Sequence, residues 1–281
     1  MLPLTAALSL LIGIVLGMVG GGGAILTLPM LVYALGVEPK AAIAASLFVV
    51  GSTSLVGAAV HARAVQWRIA LVFGGAAMLG AFAGGRLAAF VPSKVLLLLF
   101  AAVMLVTAIA MMRGGSGGAS EGRRSLAVGR SLVLGGSVGL LSGLVGSGGG
   151  FLIVPALTIF GGLAIREAIG TSLLVIALQS YAGFAGHVSH VRLDWKLVAI
   201  VTGAAVIGTI IGSLVGRKVP ASHLRRGFAW LVVVMGLFMV SRQVPAVIAA
   251  VVAAATLVAV FVVSRGRPGE HDAEDERPSR P

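Results

Sequence analysis

Residues 17–31 read GMVGGGGAILTLPML, and residues 143–157 read GLVGSGGGFLIVPAL. The chain therefore carries two copies of one motif, in which a run of glycines is followed by a short apolar segment that contains a proline. A run of adjacent glycines breaks a helix, and broken backbone is tolerated at membrane depth only where it is buried in protein or lines a polar cavity. The repeat predicts a duplicated membrane protein with a broken helix in each copy.

The composition supports a membrane protein, because 58% of the residues are hydrophobic and only 11% are charged. Soluble domains carry about 25% charged residues. Most apolar runs are near the roughly 20 residues that cross a hydrocarbon core, and they cover residues 2–19, 41–60, 69–90, 95–112, 131–146, 168–186, 197–216, 227–241 and 244–263. Two further runs, 24–36 and 151–163, are too short to cross as straight helices, and are predicted to be half-helices or spans completed by extended glycine backbone. The expected fold class is an all-α, polytopic helical membrane protein.

The duplication extends beyond the glycines. At an offset of 126 residues, His61 matches His187, and at an offset of 128 residues Trp67 matches Trp195. We therefore predict the following organisation: a first transmembrane repeat at 1–112, a flexible linker at 113–130, a second repeat at 131–241, an additional C-terminal helix at 244–263 and a disordered charged tail at 264–281.

Loop charge predicts the orientation of the two repeats. If each repeat crosses the membrane an odd number of times, thirteen basic residues share one side and six lie opposite, whereas an even number divides the same residues nine to ten. Because basic residues concentrate on the cytoplasmic side, the uneven division is favoured. This predicts inverted repeats, an outside N-terminus and a cytoplasmic C-terminus.

The acidic residues indicate the sign of the substrate. All nine carboxylates lie in loops, at the ends of apolar runs or in the tail, and none lies in the middle of a span. Pumps and cation carriers usually keep an intramembrane Asp or Glu, so a small anionic substrate fits better. We expect no cofactor, no metal site and no catalytic residue. We also expect no nucleic acid partner, because the placement of the basic residues in loops is explained by membrane topology. The lipid bilayer is the expected partner, and a homo-oligomer is possible on the sequence alone.

The glycine clusters are the predicted anion site, because their backbone N–H groups are unshielded and each cluster opens a short helix with a positive N-terminal dipole. Spaced glycine pairs such as Gly13 and Gly17 are instead predicted to serve close helix packing. The predicted substrate-binding residues are Gly20, Gly21, Gly22, Gly23, Thr27, Pro29, Ser46, Gly146, Ser147, Gly148, Gly149, Gly150, Pro155, Thr171, Ser172 and Gln179.

A stripe of polar residues follows each half-helix. It comprises Ser46, Ser52, Thr53 and Ser54 in the first copy and Thr171, Ser172, Gln179, Ser180 and Tyr181 in the second. Hydroxyls suit oxyanions as donors, yet in membrane helices they often bond to the preceding turn of their own helix, and the sequence leaves both roles open. Three boundary histidines, His61, His187 and His190, end the stripes; His61 and His187 are candidate proton or gating residues, and an interfacial role is the alternative.

Taken together, these residues resemble the sulfite exporter TauE/SafE family, also called the 4-toluene sulfonate uptake permease family, over about residues 5–240. The resemblance rests on the glycine segments with their prolines, the paired serines and histidines, and the loops Val65-Gln-Trp67 and Leu193-Asp-Trp195. It implies a multi-pass inner-membrane transporter whose members are linked to sulfite, sulfonates, sulfoacetate or other small organosulfur anions. Asp194 has no acidic counterpart in the first copy, so we do not expect it to be essential.

The leading functional hypothesis is a secondary transporter, in the direction of export, for a small sulfur-containing anion such as sulfite, sulfonate or sulfoacetate. Two other classes stay open on the sequence alone. An intramembrane enzyme needs a catalytic pair, and Ser54 and His61 are seven residues apart. A membrane-embedded accessory subunit accounts for the basic loops but not for the duplicated glycine clusters.

Overall fold

A computed structural model describes residues 2–19, 25–113, 128–146, 148–149, 153, 157, 163, 165–216 and 221–265. Within these residues the regular secondary structure is entirely helical. The long helices are α1 (Leu2–Val19), α3 (Pro39–Val60), α4 (Trp67–Ala88), α5 (Ser93–Arg113), α6 (Val128–Val145), α7 (Ile165–Val188), α8 (Trp195–Gly216), α9 (Ala221–Gln243) and α10 (Ala246–Arg265). The predicted all-α fold class is confirmed, and each long apolar run of the sequence corresponds to one helix.

The first half-helix is also present. A short α2 (Thr27–Pro29) continues as one π-helical stretch, Met30–Ala34, and the chain then turns at Gly36, whose φ is +66°. A helix this short extends about 12 Å at 1.5 Å per residue, less than half of a hydrocarbon core. The second predicted half-helix, 151–163, lies almost wholly outside the described residues, as does the tail from residue 266.

Several helices carry apolar side chains on both their inner and outer faces. In α4, Phe73 and Ala77 are buried while Leu71 and Leu79 are exposed to 65% and 76%. A soluble protein rarely leaves such an apolar surface to water. Among the described residues, four helical segments are long and apolar enough to cross a membrane: Pro39–Val60, Trp67–Ala88, Glu167–Val188 and Trp195–Val215.

Glycines bring two helix pairs into backbone contact. In the pair α1 and α8, Gly13 lies against the backbone of Ala205, and Gly17 lies against that of Thr209. The pair α4 and α6 repeats these contacts at the duplicated positions, with Gly139 on Ala77 and Gly143 on Ala81. A β-carbon at any of these glycines would overlap the facing carbonyl oxygen, so the packing prediction for the spaced glycines is confirmed.

Each of these pairs joins one helix from the first sequence copy to one helix from the second. The matching positions also reveal helix direction, because residue numbers rise together along α1 and α8 and along α4 and α6. Helices α4 and α7 run parallel as well, since Gly74 faces Val175 and Gly85 faces Gly186. Helices α6 and α7 therefore point the same way.

Helices α3 and α7 occupy the same place in the two sequence copies and contact each other. Gly51 faces the ring of Tyr181, Gly57 faces Leu173, and at the duplicated positions Gly183 faces Leu47. Residue numbers rise along one helix as they fall along the other, so α3 and α7 are antiparallel. Both helices are largely buried and form the centre of the molecule.

Candidate functional site

The middle of the contact between α3 and α7 is polar. Because Gly57 meets Leu173 and Leu47 meets Gly183, the midpoint of the contact lies near Thr53 in α3 and its sequence equivalent in α7, Gln179. Both of these side chains are fully buried. The two polar stripes of the sequence therefore meet in the centre of the helix bundle.

Four of the eight hydroxyl groups in the stripes donate to a carbonyl group of their own helix. Ser46 Oγ donates to Ile43 O at 2.9 Å, Thr53 Oγ1 to Val49 O at 2.9 Å, and Ser172 Oγ to Ile169 O at 2.9 Å. Ser52 Oγ donates to Phe48 O at 2.9 Å and also lies 2.9 Å from Tyr181 Oη. Each of these hydroxyl protons has a carbonyl acceptor in its own helix, which is the structural role that the sequence left open.

Three hydroxyls in this region behave differently. Ser54 and Ser180 are equivalent in the two copies, both are fully buried, and neither hydroxyl has a hydrogen-bond partner among the described residues. Thr27 Oγ1, in α2, is also buried without a partner there. Leaving a buried polar group unpaired costs about 1–3 kcal/mol, so these hydroxyls are available to a ligand that enters the centre. Thr202 in α8 has an unpaired hydroxyl as well.

The described glycines of the second cluster form a left-handed backbone segment beside these serines. Gly146, Gly148 and Gly149 have φ values of +77°, +64° and +64°. A β-carbon at Gly148 would overlap the Val50 side chain, and one at Gly149 would lie 2.5 Å from Gln179 Nε2. Conformation and space thus both require glycine at these two positions.

The carbonyl groups of this segment are bound by the stripe side chains. Ser46 Oγ lies 2.8 Å from Gly146 O and shares its one proton between that oxygen and Ile43 O, and Gln179 Nε2 donates to Gly148 O at 2.6 Å. The N–H of Gly146 donates to Ser142 O at 2.8 Å, but those of Gly148 and Gly149 have no acceptor among the described residues. The segment therefore offers two free backbone donors next to Ser180, whose hydroxyl lies 3.4 Å from the β-carbon position of Gly148.

Two predicted ligands lie away from this centre. Thr171 and Ser172 lie in the second turn of α7, where Thr171 Oγ1 accepts a hydrogen bond from the N–H of Gln66 at 3.0 Å. They precede Gln179 by about two helical turns, or roughly 12 Å. Pro29 is buried at the end of α2, while Gly20, Gly21, Gly22, Gly23, Ser147, Gly150 and Pro155 lie outside the described residues.

The boundary histidines end the two central helices. His61 Nδ1 lies 3.0 Å from Gly57 O, and His187 Nδ1 lies 3.1 Å from Gly183 O, so the duplication reproduces the same contact. His187 is buried, and its Nε2 has no partner among the described residues. Both rings are about two turns from the centre and can border the approach to it.

The acidic side chains of the described residues lie at helix starts. Glu38 precedes α3 and Glu167 lies in the first turn of α7, while Asp194 Oδ1 accepts hydrogen bonds from the N–H groups of Lys196 and Leu197 at 3.0 and 3.1 Å. The centre contains donors and no carboxylate among the described residues. Such a set of groups can hold an anion at little cost in buried charge.

Sequence reasoning left Ser54, Ser180 and Ser142 out of the predicted ligands. The recurrence of Ser54 at Ser180 was a usable signal, since equivalent serines recur where the copies share a role. Ser142 lies in α6, with its hydroxyl oxygen 3.4 Å from Gln179 Nε2. Its equivalent in the first copy is Leu16, so no repeat pattern marked it.

A family model described as "Sulfite exporter TauE/SafE" matches residues 5–239. A protein of Xylella fastidiosa (strain 9a5c) named "Probable membrane transporter protein" is 32% identical over 83% of this chain and 92% of its own length. Bacillus subtilis YdhB, "Probable membrane transporter protein YdhB", is 32% identical over 74% of this chain and 86% of its own. The Methanocaldococcus jannaschii protein "Probable membrane transporter protein MJ0441" is 27% identical over 85% of this chain and 95% of its own. No solved structure gives a significant match.

Proposed function

We propose that this chain, which belongs to the sulfite exporter TauE/SafE family, is a secondary transporter that exports a small sulfur-containing anion such as sulfite, sulfonate or sulfoacetate. The chain is a multi-pass membrane protein, and its relatives carry the names of membrane transporters. The substrate class and the direction of export are suggested by the description of the family. The proposed location is the cytoplasmic membrane.

The observation that carries this proposal is the set of unpaired donors at the centre. The Ser54 and Ser180 hydroxyls and the N–H groups of Gly148 and Gly149 have no acceptors among the described residues. A sulfite or sulfonate group presents three oxygen atoms, each of which can accept hydrogen bonds. Hydrogen bonds that involve a charged group contribute about 1.5–3 kcal/mol each, with the exchange against water already included, so several donors together can hold a small anion.

Inverted repeats are supported by the directions of the central helices. The equivalent helices α3 and α7 are antiparallel, as inversion requires, and the parallel directions of α6 and α7 are consistent with an odd number of crossings in the second repeat. In transporters with inverted repeats, the substrate binds near the midplane and the two repeats exchange conformations around it. The proposed repeats are residues 1–112 and 131–241, with the linker, the C-terminal helix and the tail as the sequence predicts.

The experiment is sulfite flux in proteoliposomes that contain the purified full-length chain. Replacing Ser54 or Ser180 by Ala should weaken the apparent affinity for sulfite about tenfold or more, since each removes a donor to a charged ligand. Ser9→Ala is the matched control, because Ser9 is buried in α1 and its Oγ donates to Thr5 O at 2.7 Å. That variant should transport as the wild type does.

Two results would contradict the proposal. If the wild-type chain moves neither sulfite nor a sulfonate above the background of empty liposomes, an accessory subunit or an intramembrane enzyme becomes the better description. If sulfite moves but both serine variants keep the wild-type affinity, the transported anion binds elsewhere.

A further inference from the structure

Gln179 is the one amide side chain at the proposed site among the described residues, and its orientation is fixed. The side chain is fully buried, and Nε2 donates to Gly148 O at 2.6 Å. A carbonyl oxygen only accepts hydrogen bonds, so the amide nitrogen and not the amide oxygen must face Gly148. This leaves Gln179 Oε1 pointing away from the glycine segment.

The Oε1 atom of Gln179 has no hydrogen-bond partner among the described residues. An amide oxygen can only accept, so it must find a donor to offset its burial. The neighbouring Ser142 hydroxyl oxygen lies 3.4 Å from Gln179 Nε2 and accepts from that nitrogen, so it is not a donor to Oε1. The site therefore combines several hydroxyl and N–H groups that can donate with one buried oxygen that can only accept.

The first sequence copy does not supply a second acceptor of this kind. Thr53 occupies the position equivalent to Gln179, and its hydroxyl donates to Val49 O at 2.9 Å and Val50 O at 3.1 Å within α3. A substrate at the centre thus meets similar serine donors on both sides, Ser54 and Ser180, but an amide acceptor on one side only. Recognition at the centre is asymmetric although the helices around it are duplicated.

We propose that the central site selects monoanions that carry one hydrogen-bond donor in addition to an oxyanion group, such as bisulfite or a hydroxysulfonate. The oxyanion end binds the serine hydroxyls and the glycine N–H groups, while the donor binds Gln179 Oε1. An anion with acceptors alone would set its lone pairs against those of the buried Oε1 or leave that atom unpaired. The inference rests on the proposed function and names the substrate class of the same site.

A matched pair of ligands tests this selection. Isethionate and 1-propanesulfonate carry the same charge and the same number of heavy atoms, but isethionate ends in a hydroxyl where propanesulfonate ends in a methyl. Sites built to bond a substrate hydroxyl reject the analogue without it, because the buried protein group is then left unpaired. At about 1–3 kcal/mol for that group, purified wild-type protein should bind isethionate about 5- to 150-fold more tightly, measured by thermal stabilisation in detergent.

Variants then assign the preference to one atom. Gln179→Met keeps the length of the side chain and removes the acceptor, so the two ligands should bind with equal affinity. Thr53→Val changes the equivalent position in the first copy and should keep the wild-type preference, because the Thr53 hydroxyl is already bonded within α3. The wild-type comparison stands by itself if Gln179→Met fails to fold.

Equal binding of the two sulfonates by the wild type, or a preference for isethionate that survives Gln179→Met, overturns the inference. Sulfite flux in the wild type without any preference for isethionate would overturn this inference alone and leave the proposed function intact. Absence of both sulfite flux and ligand binding would overturn both.

Discussion

Replacing Gly148 by Ala tests the geometry of the glycine segment with the smallest possible change. The variant has two costs. A residue with a β-carbon at φ +64° loses about 1–2 kcal/mol in the left-handed region, and the added carbon overlaps Val50 Cγ1, which adds about 1–3 kcal/mol of the kind measured for overpacked cores. The expected loss of stability is about 2–5 kcal/mol.

Gly36 separates these two costs. Its φ of +66° is nearly the same, but no atom lies within 4 Å of the position where a β-carbon would be added. Gly36→Ala should therefore show the conformational cost alone. The difference between the two variants, measured as apparent Tm of the purified protein in the same detergent, reports the overlap with Val50.

A double-mutant cycle gives the refuting result. Val50→Ala removes the overlapping methyl groups, so in the Gly148→Ala background it should restore about 1–3 kcal/mol relative to its effect in the wild type. If Gly148→Ala is no more destabilising than Gly36→Ala, or if the cycle shows no coupling with Val50, the glycine segment does not pack against α3 as described. Sulfite flux of the same variants would show whether the packing is needed for transport.

Three further predictions concern topology, helix packing and coupling. Reporter fusions after Arg124 and after Arg267 should both report the cytoplasm and a fusion at Lys94 the outside; opposite signals from the first two would remove the inverted arrangement. Gly143→Val should lower the yield of monodisperse protein, because the added side chain would overlap the Ala81 backbone. The control is Gly75→Val, which lies in the same helix as Ala81, has open space around it and should not lower the yield. Equal yields would contradict the close packing of α4 and α6. Replacing the three boundary histidines by Gln should reduce transport modestly and preserve its response to a pH gradient, since bisulfite and sulfite interconvert near neutral pH without a protein group; a variant that transports but ignores the gradient would make those histidines the proton path.

The helices were predictable because charged or turn-forming residues end each apolar run. The run 197–216, for example, corresponds to α8 at Trp195–Gly216, which starts just after Asp194 has capped its first N–H groups. The half-helix at 24–36 was predictable in length, but the π-helical stretch after Pro29 was not, since it depends on how α2 packs. Local sequence contains the information that ends a helix and little of what decides its exact winding.

The site was predictable only in part. The sequence places Thr53 and Ser54 side by side in one stripe, yet Thr53 bonds to its own helix and Ser54 does not. Which hydroxyl stays free depends on the rotamer that the neighbouring helix permits, and that information is tertiary. The antiparallel contact of α3 and α7, which brings Gln179 to the centre, likewise depends on pairing between segments more than 100 residues apart.

The exchange of helices between the two copies has a consequence for biogenesis. Helix α1 leaves the ribosome before its partner, because the surface that receives Gly13 and Gly17 belongs to α8, which is synthesised about 190 residues later. Chains emerge at about 5–20 residues per second, so α1 waits on the order of ten seconds or longer in the bilayer with its glycine face against lipid or an insertion factor. A truncated product that ends in the linker therefore lacks the partners of both α1 and α4. Quality-control proteases that recognise unpaired transmembrane helices would therefore have a target in a chain that stops before α8.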